Sequence, residues 1–528
     1  MSTGVDHALH RPVHPVRFIT AASLFDGHDA AINIMRRILQ SQGAEVIHLG
    51  HNRSVAEVVS AAVEEDVQGI AVSSYQGGHV EYFRYLVDLL RERGSGHIRV
   101  YGGGGGVIVP SEIAELHDHG VAHIFTPQDG QRLGLAAMVN TMIAECDTDL
   151  AASPPRSLAG LFAGDRGALA RVITCLEGGT LPAPLLDDLR VQAGRRAVPT
   201  LGITGTGGSG KSSLTDELIR RVRLDTADKL KVAVIAVDPT RRKGGGALLG
   251  DRIRMNAVGE QVYMRSLATR SATAEVPAVL EDMIAACRCS GADLVIVETP
   301  GIGQGDAAIV PFVDVPVYVM TPEFGAASQL EKIDMLDFAD AVVINKFDRR
   351  GGPDAMRDVR RQLARNRELF AADPAELPVF GTIAARFNDD GVSALYGYLR
   401  DRLVAHGLPA LGGSLPAVDG RTSTLAAVIV PPDRTRYLAE VAETIRRYHR
   451  HTAEQSRTAR RRQALASTIT ELRAANASTE VLDAVAALHA DAEAHLDASS
   501  RTLLEGWPGV VERYSGDERV DDVPGRAV

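Results

Sequence analysis

Cysteine, tryptophan and long apolar runs are scarce in this sequence, and each scarcity removes a class of protein. Four cysteines in 528 residues, Cys146, Cys175, Cys287 and Cys289, are too few for a disulfide-stapled secreted fold. Cys287 and Cys289 lie close together, but no matching ligand pair stands elsewhere, which argues against a zinc site. No apolar run approaches about 18 residues and the first residues hold no signal-peptide core, so neither spanning nor secretion is predicted. Excess positive charge is lacking too: the formal net charge is −10, which disfavours nucleic acid and anionic membrane as partners. A hydrophobic share of 45% excludes wholesale disorder. The expectation is a soluble, cytoplasmic chain of three or four units at about 150 residues each. Glycine is what abounds, 51 residues in clusters, and clustered glycine brings backbone close to something.

Residues 1–15 read as a polar lead-in. From 16 to 147, short apolar runs at 17–25, 44–49, 69–75, 98–102 and 122–126 alternate with helical patterns near 30–42, 54–66, 80–93, 111–119 and 130–145. In the first helix Ile34, Met35, Ile38 and Leu39 share one side, and Gly43 stops it. Five such repeats predict a doubly wound parallel sheet of the flavodoxin type. Residues 148–199 look like a linker with a short helical stretch. A second α/β unit spans 200–412, with strands near 201–203, 231–237, 293–298, 315–320, 341–345 and 378–383. From 413 to 515 the chain turns helical, with two or three long helices predicted across 434–505 and a charged tail after it, 516–528.

Two constellations carry chemistry. The first lies at strand ends, where an open parallel sheet binds ligands. His28 follows the first strand and can coordinate a transition metal, while Asp26 can accept a hydrogen bond from its other ring nitrogen. An isolated Asp-x-His is more often a loop histidine bonded to its neighbour, and the glycine run on a neighbouring strand end is what favours the site. Ser73 ends the third strand, and the run from Gly102 through Gly105 and Gly106 follows the fourth. Five glycines there leave an open slot suited to a large flat ligand with a long tail.

The second constellation opens with Gly205-Thr206-Gly207-Gly208-Ser209-Gly210-Lys211-Ser212, a full G-x-x-x-x-G-K-S between a strand and a helix that continues through Ser213. Its glycines let backbone N–H groups wrap phosphates, Lys211 sets a charge on the outer phosphates, and Ser212 can hold Mg²⁺. Asp238 ends a strand and Asp251 follows a glycine-rich stretch, and either can meet Mg²⁺ directly or through water. Glu298-Thr299-Pro300-Gly301 ends another strand, placing a carboxylate near Mg²⁺ and a Gly301 N–H towards the γ-phosphate. Asn345-Lys346-Phe347-Asp348 supplies a carboxylate that accepts from guanine N1 and N2, donors that adenine does not present together. Each piece alone is ordinary, but the ordered set predicts a GTPase with Lys211 and Glu298 at the reacting phosphates. Which residue positions the attacking water is left open: Gln304 is a candidate by its place, but a solvated loop glutamine is the better reading of it.

The first constellation resembles the cobalamin-binding domain of acyl-CoA mutases and methionine synthase, with pattern Asp-x-His-x-x-Gly, Ser-x-Leu and Gly-Gly. The resemblance implies that His28 is cobalt's lower ligand, supported by Asp26, with the displaced nucleotide tail against Ser73, Gly105 and Gly106. Ala31 and Tyr75 depart from the pattern's Gly and Leu, and both departures bear on tail packing. The second unit resembles the G-protein chaperones of adenosylcobalamin-dependent acyl-CoA mutases through Val237-Asp238-Pro239, Leu249-Gly250-Asp251-Arg252-Ile253-Arg254 and Glu298-Thr299-Pro300-Gly301. That implies Mg²⁺ contacts from Ser212, Asp238, Asp251, Glu298 and Thr299, and Arg254 near the nucleotide.

The two units in this order resemble the amino-terminal half of fused acyl-CoA mutases. There a helical segment and a substrate barrel follow, and a barrel of about 250 residues does not fit before residue 528. The expectation is an adenosylcobalamin-binding GTPase subunit whose acyl-CoA barrel is supplied by a partner, with GTP hydrolysis gating cofactor loading. The helices at 434–505 would dock that partner or a second copy. Alternatives are a stand-alone GTPase chaperone that delivers cobalamin, and, less favoured, a corrinoid methyl carrier.

Overall fold

The computed structural model describes residues 9–240, 246–250, 252–270, 276–301, 306–325, 330–411, 413–424, 437–516, 522–523 and 526–527. Asp251 and Gln304 therefore lie outside the described residues. The chain divides into two compact units, Met1–Ala427 and Val428–Val528.

The larger unit holds two parallel sheets. The first has strands β1 (Arg17–Ser23), β2 (Glu45–Arg53), β3 (Gly69–Ser73), β4 (Arg99–Gly103) and β5 (His123–Phe125) in the order β5-β4-β3-β1-β2, the flavodoxin order expected. Helices α1 (Ala30–Ser41), α2 (Val55–Glu64), α3 (His79–Glu92), α4 (Pro110–His119), α5 (Pro127–Leu133) and α6 (Leu135–Cys146) connect and flank these strands. β1 and β3 are buried along their whole lengths, because helices cover both faces. Ser54 starts α2 by accepting the Glu57 amide, while Glu57 reaches back to the Ser54 N–H, a reciprocal cap.

The second sheet comprises β6 (Thr200–Gly205), β7 (Val232–Asp238), β9 (Val262–Ala268), β10 (Leu294–Glu298), β11 (Val315–Met320), β12 (Ala341–Asn345) and β13 (Val379–Thr382), ordered β13-β12-β11-β6-β10-β7-β9. One strand departs from its expected home. β8 (Ala247–Leu249) lies in sequence between β7 and β9, yet it joins the first sheet as a sixth strand beside β2. Ala247 and Leu249 are buried in the first sheet's core, and a fully buried leucine contributes about 1.5–3 kcal/mol.

The stretch 148–199 is more than a connector. It forms α7 (Ala159–Phe162), α8 (Arg166–Glu177) and α9 (Ala183–Ala193), and Leu169, Val172, Ile173, Leu176 and Leu189 pack on the face of the second sheet that carries Ile235, Leu267 and Val297. Helices α10 (Lys211–Thr226) and α11 (Leu280–Cys289) flank that sheet. Charge is buried where the two sheets meet. Arg17 donates to Glu65 at 2.8 Å and to Ser266 O at 2.7 Å, Arg265 to Glu177 at 2.9 Å, and the exposed Arg270 reaches the buried Glu45 at 2.7 Å.

Among the described residues the smaller unit has three helices, Tyr437–Ala474, Thr479–Ala494 and Ala498–Tyr514. The third runs past the expected end at 505 and takes Pro508 into its interior. Arg462 pairs with Glu493, and His451 meets Asp497 at 2.6 Å, tying the long helix to the two that follow. Among the described residues no helix is long and apolar enough to cross a membrane.

Candidate functional site

The first site is built on the loop after β1 and the ends of β3 and β4. Asp26 is fully buried and serves three donors: Oδ1 accepts from the His28 amide and from His28 Nδ1, each at 2.8 Å, and Oδ2 accepts from the Tyr75 amide at 2.7 Å. Burial pushes the Asp26 carboxyl up, but the amides of His28 and Tyr75 and the imidazole outweigh it and hold it below the usual carboxylate range. An ionised Asp26 keeps the imidazole proton on Nδ1. The His28 side chain is 71% exposed, so Nε2 is the nitrogen offered to a metal.

Beside this pair lies a cavity of about 360 Å³ between α1, α6 and the sheet. Its walls are apolar, with Ile32, Met35, Tyr101, Phe125, Met138 and Met142, and its rim carries Ser73, Tyr75 and residues 102–105. Gly105 has φ +59°, and a Cβ there would sit 2.4 Å from the Tyr75 ring, so a side chain would strain the backbone and close the rim. Ser73 Oγ is buried without a hydrogen-bond partner. An orphaned hydroxyl on the wall of an apolar slot fits a ligand that brings a polar atom of its own. The donor set suits cobalamin: one imidazole for cobalt and a slot for the tail. Gly106, at φ +96°, completes the turn. The slot's aromatic and methionine walls escaped the sequence reading, because Tyr101, Phe125, Met138 and Met142 look like ordinary core.

The second site lies at the carboxyl ends of β6, β10 and β12. Gly208 and Gly210 hold left-handed φ of +74° and +90°, turning the loop into the amino terminus of α10. Gly205 has φ +141°, and a Cβ there would lie 1.9 Å from Val319 O. Lys211 Nζ donates to Gly205 O at 3.0 Å and Thr206 O at 3.3 Å, and Gly301 packs against the same amine. Ser209 Oγ and Thr206 Oγ1 are buried without partners, as hydroxyls awaiting an anion would be.

Ser212 Oγ donates to Glu298 Oε1 at 2.8 Å. Thr215 Oγ1 donates to Glu298 Oε2 at 2.9 Å. Thr215 was missed, although its place three residues after Ser212 puts it on the same helix face. Thr299 Oγ1 donates to Thr204 Oγ1 at 2.8 Å. Among the described residues no three His, Cys, Asp or Glu side chains form a ready metal cage. The hydroxyl–carboxylate pair of Ser212 and Glu298 still fits Mg²⁺, which takes few protein oxygens and borrows phosphates and water.

The remaining expected residues divide. Asn345 Nδ2 donates to Ser209 O at 2.7 Å and Lys346 Nζ to Gly208 O at 2.7 Å, so both brace the phosphate loop. Ser213 is half-buried in α10, while Asp348 and Arg254 are exposed. Asp238, at the end of β7, accepts from the Gly250 amide at 3.1 Å.

Comparison with known proteins agrees with this geometry. Residues 16–131 match the B12 binding domain model, and residues 169–488 match methylmalonyl-CoA mutase-associated GTPase MeaB. The chain is 64% identical to a fused isobutyryl-CoA mutase of Nocardia farcinica over 99% of its own length and 48% of that protein's. Against the fused isobutyryl-CoA mutase of Cupriavidus metallidurans it is 61% identical, over 96% of this chain and 46% of that one. It is 51% identical to that of Geobacillus kaustophilus, over 98% and 48%. The chain thus spans about half the length of the curated relatives it matches. With a matched B12-binding domain ahead of its phosphate loop, the chain belongs to the family of methylmalonyl-CoA mutase-associated GTPases, MeaB.

Proposed function

We propose that this chain is the adenosylcobalamin-binding and GTP-hydrolysing portion of an acyl-CoA mutase of the isobutyryl-CoA or methylmalonyl-CoA type. The observation that carries this reading is the pairing of a buried, ionised Asp26 with His28 Nδ1 beside an apolar slot that holds the orphaned Ser73 hydroxyl. When bound, the cofactor supplies a cobalt–carbon bond whose homolysis starts radical rearrangement. This chain's residues hold and orient: His28 Nε2 would take cobalt, Asp26 keeps the proton on Nδ1, and the slot excludes water from the tail.

At the second site, Lys211 and the α10 amino terminus would hold the outer phosphates of GTP, and Ser212 with Glu298 would hold Mg²⁺. Asp251 and Thr299 remain proposed contributors to that ion, Arg254 and Gly301 to the nucleotide, and Asp348 to guanine. Hydrolysis would gate cofactor loading. The acyl-CoA would bind a barrel partner. The helix Ala498–Tyr514 exposes Leu503, Leu504, Trp507, Val510, Val511 and Tyr514, a surface for docking that partner or a second copy.

Identity to fused mutases along nearly the whole chain favours this reading over a chaperone that never joins turnover. Mixing the chain with adenosylcobalamin, a mutase barrel and isobutyryl-CoA or methylmalonyl-CoA tests it. Turnover only when both polypeptides are present supports the reading. Turnover by the barrel alone, with this chain only accelerating cofactor uptake, favours the chaperone.

A further inference from the structure

The helix Gly352–Asn366 carries Arg357, Arg360, Arg361 and Arg365 against two aspartates, Asp354 and Asp358. Spacings of three, four and eight residues put these arginines on one side of the helix. All four line a cavity of about 740 Å³, which Leu369, Phe370 and Thr422 also border. That volume lies in the range of small-molecule sites, about 300–1,000 Å³.

Three of the arginines are already compensated. Arg357 meets Asp354 at 2.9 Å, Arg361 meets Asp358 at 3.6 Å and Arg365 meets Glu331 at 3.9 Å, and all three arginines are exposed. Arg360 is different. It is half-buried, and its Nε is buried without a hydrogen-bond partner. Burial, and then the charge of Arg421, hold its guanidinium below the ordinary value, with Asp373 offsetting part of the effect. Arg421 is itself anchored, its Nε donating to Ala375 O at 3.2 Å and its guanidinium lying 5.0 Å from the centre of the Phe380 ring. Two like charges are thus held near each other, one of them with an unused donor. An anion would complete the cluster.

The rest of the lining indicates what that anion is attached to. Phe347, Met356 and Leu369 make an apolar wall, and beside them the Phe370 residue is 77% exposed. An exposed ring next to guanidiniums fits a planar base that stacks while its phosphates take the arginines. The arginine stripe is also long, since Arg357 and Arg365 stand about 12 Å apart along the helix axis. One phosphate does not reach both ends, whereas phosphates at separated positions of a nucleotide do.

We propose that this cavity binds a nucleotide phosphorylated at two separated positions, as the adenosine end of coenzyme A is, with Arg360 as its central contact. The site is distinct from the phosphate loop: no residue of 205–212 lines it, and of the segment 345–348 only Phe347 does. The inference stands on this cavity and does not depend on the proposed function.

The test is isothermal titration calorimetry of the full chain saturated with Mg²⁺ and GDP, using coenzyme A, ATP and inorganic phosphate as probes. Coenzyme A is expected to bind about tenfold or more tighter than ATP, whose phosphates sit at one end, and tighter still than phosphate. Arg360→Gln should weaken coenzyme A about tenfold or more without lowering the melting temperature, because the charge it removes is uncompensated in the free chain. Phe370→Ala should weaken it about fivefold or more through lost stacking. No binding of coenzyme A, ATP or phosphate bound as tightly, or unchanged affinity in either variant would each overturn the inference. Coenzyme A that binds only when GDP is left out would be occupying the phosphate loop, which would overturn it too. A lower melting temperature in Arg360→Gln would make Arg360 a structural arginine and contradict its assignment to a ligand.

Discussion

Asp26 holds His28 from two directions, its Oδ1 accepting both the backbone amide and Nδ1 of the histidine at 2.8 Å. The loop conformation and the ring orientation are thus set by one buried carboxylate, so the imidazole is positioned before any ligand arrives. Removing the charge while keeping the shape should expose that dependence. Asp26→Asn is expected to weaken corrinoid binding about 10–100-fold, measured by absorbance titration, with GTP hydrolysis unchanged.

The slot makes a steric prediction. Gly105→Val places a branched side chain at φ +59° against the Tyr75 ring and should abolish tail insertion. Corrinoid binding should fall at least tenfold, while circular dichroism and GTP hydrolysis stay near those of the unmodified chain. Retained affinity would place the tail elsewhere.

For the nucleotide site, Lys211→Ala should eliminate GTP hydrolysis, because the Lys211 ammonium, held on Gly205 O and Thr206 O, is the charge placed for the outer phosphates, whereas Lys346 braces Gly208 O. Asp348→Asn should narrow the preference for GTP over ATP, read from kcat/KM for each. Equal hydrolysis of the two nucleotides by the unmodified chain would contradict the guanine assignment.

Acid sensitivity has a specific source. Burial pushes the His48 imidazole down to about 4, against an ordinary value of 6.5, with its Nδ1 at 2.9 Å from Thr20 Oγ1. Between those values the unfolded chain takes up a proton that the folded chain refuses. Stability from this residue is therefore complete above about pH 6.5 and is lost as pH falls towards 4, by up to about 3 kcal/mol. In His48→Gln, urea midpoints should vary less across that window than in the unmodified chain.

Local signals made much of this molecule legible. The β–α alternation of the first unit, the phosphate loop, and the strand ends at His28, Ser73 and Glu298 all follow from periodicity and from the rule that parallel sheets bind ligands at carboxyl ends. The failures share a cause, namely partners distant in the chain. Ala247–Leu249 is too short to show a period, and its partner strand lies some two hundred residues earlier. Arg17, Glu65, Arg252 and Arg265 are buried among one another only through contacts between residues far apart in the chain. The helices at 159–193 hide behind a Pro/Ala/Ser break, and Pro508 suggested an end where the helix continues.

Whether a protein imidazole binds cobalt is decided most directly by electron paramagnetic resonance of cob(II)alamin bound to chain labelled with [15N]histidine. An axial 14N nitrogen splits each cobalt line into a triplet, and 15N splits it into a doublet. The account predicts the doublet in labelled protein and its loss in His28→Ala. A triplet that persists in labelled protein would show that the cofactor keeps its own base, which would contradict His28 as the lower ligand.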